Sequence, residues 1–225
     1  MFAGHYAPAF AASAQKSAPP LFATFIAVQA MDFAWAGFIL TGVERAEIEP
    51  GFLTMSDLHL EYMPYSHSLP GALALSLIGA LLFRVLAPKQ GWSAAMLIGL
   101  CVFSHWLLDL LVHAPDLPLW MNDYKVGLSL WASKPITIGL ELGLIALGFG
   151  WYLLATRAKS WMGHASAWLL FALLVGANLI NWFGPAPGDM RAMAISALAA
   201  YSALALLALW VDATRTRKAP VTIAS

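Results

Sequence analysis

Histidines and carboxylates recur in this chain inside segments that are otherwise apolar. Between Ser104 and Asp116, His105, Asp109 and His113 are spaced four residues apart, which on a helix places them along one stripe. Ala114 precedes Pro115 and is biased away from helical dihedrals, so the stripe should stop near His113, leaving Asp116 in a loop. Neutral imidazole and carboxylate suit zinc, manganese or iron, and an i, i+4 pair offers two donors from one helix face. A further histidine lies in Tyr65-Ser66-His67-Ser68-Leu69-Pro70. There Ser68 can cap a helix that has Pro70 in its first turn, which pins His67 at the helix entrance.

Three chemistries compete for this cluster. His67, His105 and Asp109 can ligate a divalent metal, with His59, His113 and Asp32 as further donors. The same groups can form a proton or cation path through Asp32, His105, Asp109 and Glu141, or they can join helices by hydrogen bonds. An ionisable group within a bilayer costs roughly +2.5 to +3.5 kcal/mol, so several together require pairing, a metal or a water-filled cavity. Asp32, Glu61 and Glu141 are the candidate general bases for a metal-dependent hydrolysis. Glu44-Arg45-Ala46-Glu47-Ile48-Glu49 reads as a solvated face, and His5 and His164 as surface residues. Most tryptophans, Trp35 and Trp131 among them, flank the apolar runs as interfacial anchors. The chain has no Gly-x-Ser-x-Gly turn, which argues against a serine-nucleophile hydrolase.

Tyr65-Ser66-His67-Ser68-Leu69 opening one apolar run and Ser104-His105-Trp106-Leu107-Leu108-Asp109 within the next resemble a bacterial inner-membrane family of metal-dependent hydrolases, the LexA-binding-associated YdjM/YbcI type. The resemblance covers residues 57–113, about a quarter of the chain. It implies a small helical membrane protein in which His67, His105 and Asp109 are metal ligands. Two departures stand out. The family's acidic Pro-Asp-x-Asp element is reduced to Asp57-Leu58-His59, and its His-Arg pair is replaced by Met63-Pro64.

The elements that must position these groups are membrane spans. The chain is 60% hydrophobic and 11% charged, with a mean hydropathy of +0.72, which places it among polytopic membrane proteins. Six runs approach the roughly 20 residues needed to cross a hydrocarbon core: 21–40, 69–87, 93–113, 135–155, 164–183 and 190–211. The expected fold is an all-α polytopic bundle of about six transmembrane helices. Residues 1–20 are expected as a tail or interfacial segment, 21–212 as one transmembrane domain and 213–225 as a basic cytoplasmic tail. Ser93 and Ser133 are candidate caps for the third and fourth spans.

Lys16, Arg84, Lys89, Arg157, Lys159, Arg215, Arg217 and Lys218 fall on one side of this arrangement, against Arg45, Lys125, Lys134 and Arg191 on the other. That bias predicts both termini in the cytoplasm and the histidine cluster in the outer half, and the resemblance implies that the membrane is a bacterial inner membrane. One cysteine, Cys101, excludes an intrachain disulfide and a cysteine-based zinc site. Zero net charge argues against a nucleic-acid partner. The expected partners are membrane lipid and a small or lipid-like substrate. The function expected first is hydrolysis of an ester or phosphoester, zinc being the leading cofactor with manganese or iron behind it. The alternatives are a proton- or ion-coupled transporter and an accessory subunit whose polar cluster is structural.

Overall fold

The computed structural model describes residues 1–185 and 187–218. Its long helices follow the apolar runs: α4 (Leu69–Leu86), α5 (Gly91–Val112), α6 (Lys134–Ala155), α7 (Trp161–Phe183) and α8 (Met190–Thr214). Each is long and apolar enough to cross a membrane. Their outward faces carry Leu73, Leu77, Leu82, Val85, Leu147, Leu154 and Ile180 in exposed positions. So broad an apolar surface, on helices of this length, fits contact with lipid. The chain is an all-α, multi-pass membrane bundle.

A sixth candidate span, the first in chain order, is broken. α2 (Leu21–Val28) and α3 (Ala30–Thr41) meet at Gln29 with a bend of 49°. No proline or glycine lies at the break, so the cause is tertiary. The Val28 carbonyl accepts a hydrogen bond from His105 Nδ1 at 2.6 Å, and the side chain is thereby inserted where the helical ladder is interrupted.

Where the sequence suggests a tail, residues 3–13 fold into the bundle. A 3₁₀ turn, Ala3–His5, leads into α1 (Tyr6–Ser13), and Ala3, His5, Tyr6, Ala9 and Phe10 are wholly buried. Pro8 is tolerated because first-turn amides have no helical acceptor. Gly148 lets α1 approach α6 closely: a β-carbon there would lie 2.7 Å from the Ala7 carbonyl oxygen. Phe10 packs edge-on against Phe25 and Phe149, and Ser13 bonds Thr24 at 2.9 Å. The segment is too short to span a bilayer, so a search for 20-residue runs passes over it.

Glycine also sets the α4–α5 contact, where a β-carbon on Gly99 would come within 3.1 Å of the Ser76 carbonyl oxygen. Ser68 caps α4, accepting from the Gly71 amide at 3.1 Å, and Asp189 caps α8, accepting from Ala192 at 2.7 Å. Two expected caps differ. α5 starts at Gly91, two residues ahead of Ser93, and Ser133 precedes α6 without a capping side-chain bond.

Small antiparallel ribbons close the two ends. At one end β1 (Arg45–Leu53) pairs with β2 (Ser56–Tyr62), and β3 (Leu117–Trp120) with β4 (Asp123–Val126). Lys125 Nζ laces the ribbons by donating to the Leu60 and Glu61 carbonyls at 2.7 and 2.8 Å, and partial burial lowers its pKa. At the other end β5 (Thr156–Ala158) pairs with β6 (Arg215–Arg217). Residues 213–217 of the expected basic tail therefore belong to α8 and β6, and 219–225 lie outside the described residues.

Candidate metal centre

α5 supplies the middle of the centre. His105 and Asp109, one turn apart, are 1% and 2% exposed, and both face inward as the stripe requires. The other donors come from the break in the first span and from the entrance of α4. Asp32 sits in the first turn of α3, and His67 immediately precedes the Ser68 cap.

Four donor pairs define the geometry. Asp32 Oδ1 lies 3.4 Å from His67 Nε2 and 3.5 Å from His105 Nε2. Asp109 Oδ2 lies 3.1 Å from His105 Nε2 and 3.7 Å from His67 Nε2. The donor atoms of Asp32, His67 and His105 all lie within 4.8 Å of one another, a spacing that one metal ion can bridge.

Hydrogen bonds on the far side of each ring decide which nitrogen is free. Val28 offers His105 a carbonyl, which can only accept, so the proton of a neutral His105 ring is on Nδ1. For His67, Nδ1 lies 2.8 Å from Ser66 Oγ, and that hydroxyl donates to Glu44 Oε2. Ser66 therefore accepts from His67 Nδ1. In both rings the lone pair of Nε2 is turned toward carboxylate oxygens, an arrangement that is repulsive without a proton or a metal cation between them.

A second group gathers on the other oxygen of Asp109. His5 Nε2 is 3.1 Å from Oδ1, His113 Nε2 is 3.9 Å from it and the Met1 amino nitrogen is 2.6 Å from it. His113 Nδ1 faces Asp116 Oδ1 at 3.2 Å, and Asp116 is held by the Leu60 amide at 2.9 Å. Glu141 Oε2 accepts from the Phe2 and Gly4 amides at 3.0 and 3.3 Å, while Asn178 receives the Ala3 amide at 3.5 Å. These bonds hold the turn that brings His5 inward.

Of the residues singled out in the sequence, His67, His105, Asp109, His113, Asp32 and Glu141 therefore converge. His59 and Glu61 do not. His59 lies on β2 against Glu49 at 3.1 Å and the ring of Phe52, while Glu61 faces Arg45 at 3.5 Å from an exposed position.

Several expectations change. His5 is completely buried in the cluster rather than on the surface. Glu44, read as part of a solvated face, is 2% exposed and accepts from the Tyr65 and Ser66 amides, both at 2.8 Å. Trp35 and Trp131 are buried instead of interfacial, Trp131 donating to Glu141 at 3.4 Å. No local pattern marks His5.

Comparison with family models, curated proteins and solved structures yields no match, so the functional reading rests on these residues and their geometry.

Proposed function

We propose that this chain is a membrane-embedded, metal-dependent hydrolase that acts on a lipid-like or amphipathic ester or phosphoester. The observation that carries the reading is the pair of histidines whose Nδ1 atoms are committed elsewhere while their Nε2 atoms face Asp32 and Asp109. Two imidazoles and two carboxylates suit zinc first, then manganese or iron. When bound, such a metal polarises the scissile bond and brings the pKa of a water near neutrality.

The protein's own residues hold and orient. Ser66 and the Val28 carbonyl keep His67 and His105 in the ligating tautomer, and Tyr201 donates to Asp32 Oδ2 at 2.7 Å, fixing the carboxylate plane. Asp32, with 15% of its side chain exposed, is the most accessible of the four proposed ligands. Glu141 is engaged by backbone amides, and Glu61 lies outside the cluster.

A groove of about 520 Å³ supports a lipid-like substrate. It is lined by Phe22 and Ile26 of α2, Ala30 and Phe33 of α3, which carries Asp32, and Ala205 and Leu206 of α8, which carries Tyr201. An acyl chain lying there would bring its ester end toward Asp32. The excess of Lys and Arg at the β5–β6 end supports an orientation with that end in the cytoplasm and the metal centre toward the outer face of a bacterial inner membrane.

Metal analysis of the purified chain tests the core of this reading. Stoichiometric divalent metal is expected, and its loss in the double variant His105→Ala with Asp109→Ala. Absence of metal, or unchanged content in that variant, would overturn the proposal. In nanodiscs, hydrolysis of a fluorogenic lipid ester or phosphoester should stop with a chelator and resume with zinc. Metal-independent, pH-dependent cation flux lost in the same variant would instead identify a transport relay.

A further inference from the structure

We propose that Asp109 bridges two metal ions, the second held on its Oδ1 side by His5 and His113. This deepens the metal reading above and depends on it. The two oxygens of Asp109 have separate sets of partners: Oδ2 faces His105 and His67, whereas Oδ1 faces His5 and His113.

The rings of His5 and His105 stack with centroids 3.7 Å apart and planes 3° from parallel. Their nitrogen lone pairs lie in parallel planes and cannot converge on one ion. An ion in each ring plane would be separated by roughly the stacking distance, within the ~3.5–4 Å of two-metal sites. A bridging carboxylate that contributes one oxygen to each ion joins such pairs, and Asp109 is placed to do so.

His113 repeats the logic of His67 and His105. Its Nδ1 is taken by Asp116, a carboxylate that can only accept when ionised, so Nε2 is the free nitrogen and is turned toward Asp109. Asp116 is itself anchored by the Leu60 amide, which ties this ligand to the β1–β2 ribbon. His5 is wholly buried, and its Nδ1 lacks a hydrogen-bond partner among the described residues, so Asp109 is the only polar group holding its ring. The Met1 amino nitrogen on Oδ1 is the competing occupant: a positively charged amine would balance this oxygen without a metal.

The full chain, purified in detergent, stripped and reloaded with Mn²⁺, tests the bridge without reference to activity. Two equivalents per chain and the electron paramagnetic resonance spectrum of an exchange-coupled pair are expected. His113→Asn, at the end of α5, and His5→Ala should each retain one equivalent and give the six-line signal of an isolated ion. His164→Ala, an exposed control, should retain two. One equivalent in the unsubstituted protein, or two coupled ions in both variants, would overturn the second site and leave the first standing. No bound metal would overturn both.

Discussion

Glu44 reaches the metal centre only through a hydroxyl, and its effect can be measured. Ser66→Ala removes the acceptor that holds the Nδ1 proton of His67 while leaving Glu44 its two backbone amides, so the fold should survive. Loss of such an orienting partner weakens metal binding by about 10- to 100-fold. A competition titration with a chromophoric chelator should find that drop, with an unchanged circular dichroism spectrum, and wild-type affinity would remove Glu44 and Ser66 from the centre. Acid should act in the same direction. The ligating imidazoles must be neutral, so protons compete with the metal, and bound metal should decline on acidification. Metal content after dialysis at each pH checks this.

α1 is the element whose placement matters most for His5. Its approach to α6 depends on the missing side chain at Gly148, because an alanine β-carbon would meet the Ala7 backbone at 2.7 to 3.2 Å. Neither side of that contact is a flexible side chain, so the helices must separate. Gly148→Ala should cost about 1–3 kcal/mol, the range for overpacking. It should also draw His5 away from Asp109, lowering the thermal midpoint in detergent and removing one metal equivalent while the first remains. A variant with the stability and metal content of the parent would show that α1 has slack at this contact. The broken span works by a related principle. The break at Gln29 frees the Val28 carbonyl, so irregular backbone inside the bundle becomes the partner of a metal-ligating histidine.

The whole molecule is a bundle closed separately at its two ends, with the metal centre nearer one of them. At the basic end Arg215 donates to the Gly163 carbonyl at 3.0 Å and to Thr156 Oγ1 at 2.9 and 3.1 Å, and burial lowers its pKa. Arg217 donates to the carbonyls of Ala18 and Pro19. Removing Arg215 leaves buried acceptors unpaired, at about 1–3 kcal/mol. Arg215→Ala should therefore lower the midpoint of thermal unfolding without changing metal content, and loss of metal would show that the ends are coupled. Sidedness is open to a direct measurement. With Cys101 replaced by Ala, a cysteine at Glu49 should react with a membrane-impermeant thiol reagent in intact cells, and one at Lys159 only after lysis. The reverse pattern would invert the proposed orientation.

Hydropathy, punctuation and the four-residue spacing of His105, Asp109 and His113 determined the membrane class, five whole spans and the inward stripe, because these depend on local composition and helical period alone. Ser68 and Pro70 likewise set the entrance at His67 from adjacent residues. Tertiary structure alone brought His5 and Glu44 to the centre and removed His59 and Glu61 from it. His5 lies on a helix too short to register as a span, and its burial depends on a glycine 143 positions away in sequence. Glu44 and Glu61 both occur in acidic stretches that look alike. They differ in which way the chain turns after α3 and along β2, which only long-range packing specifies.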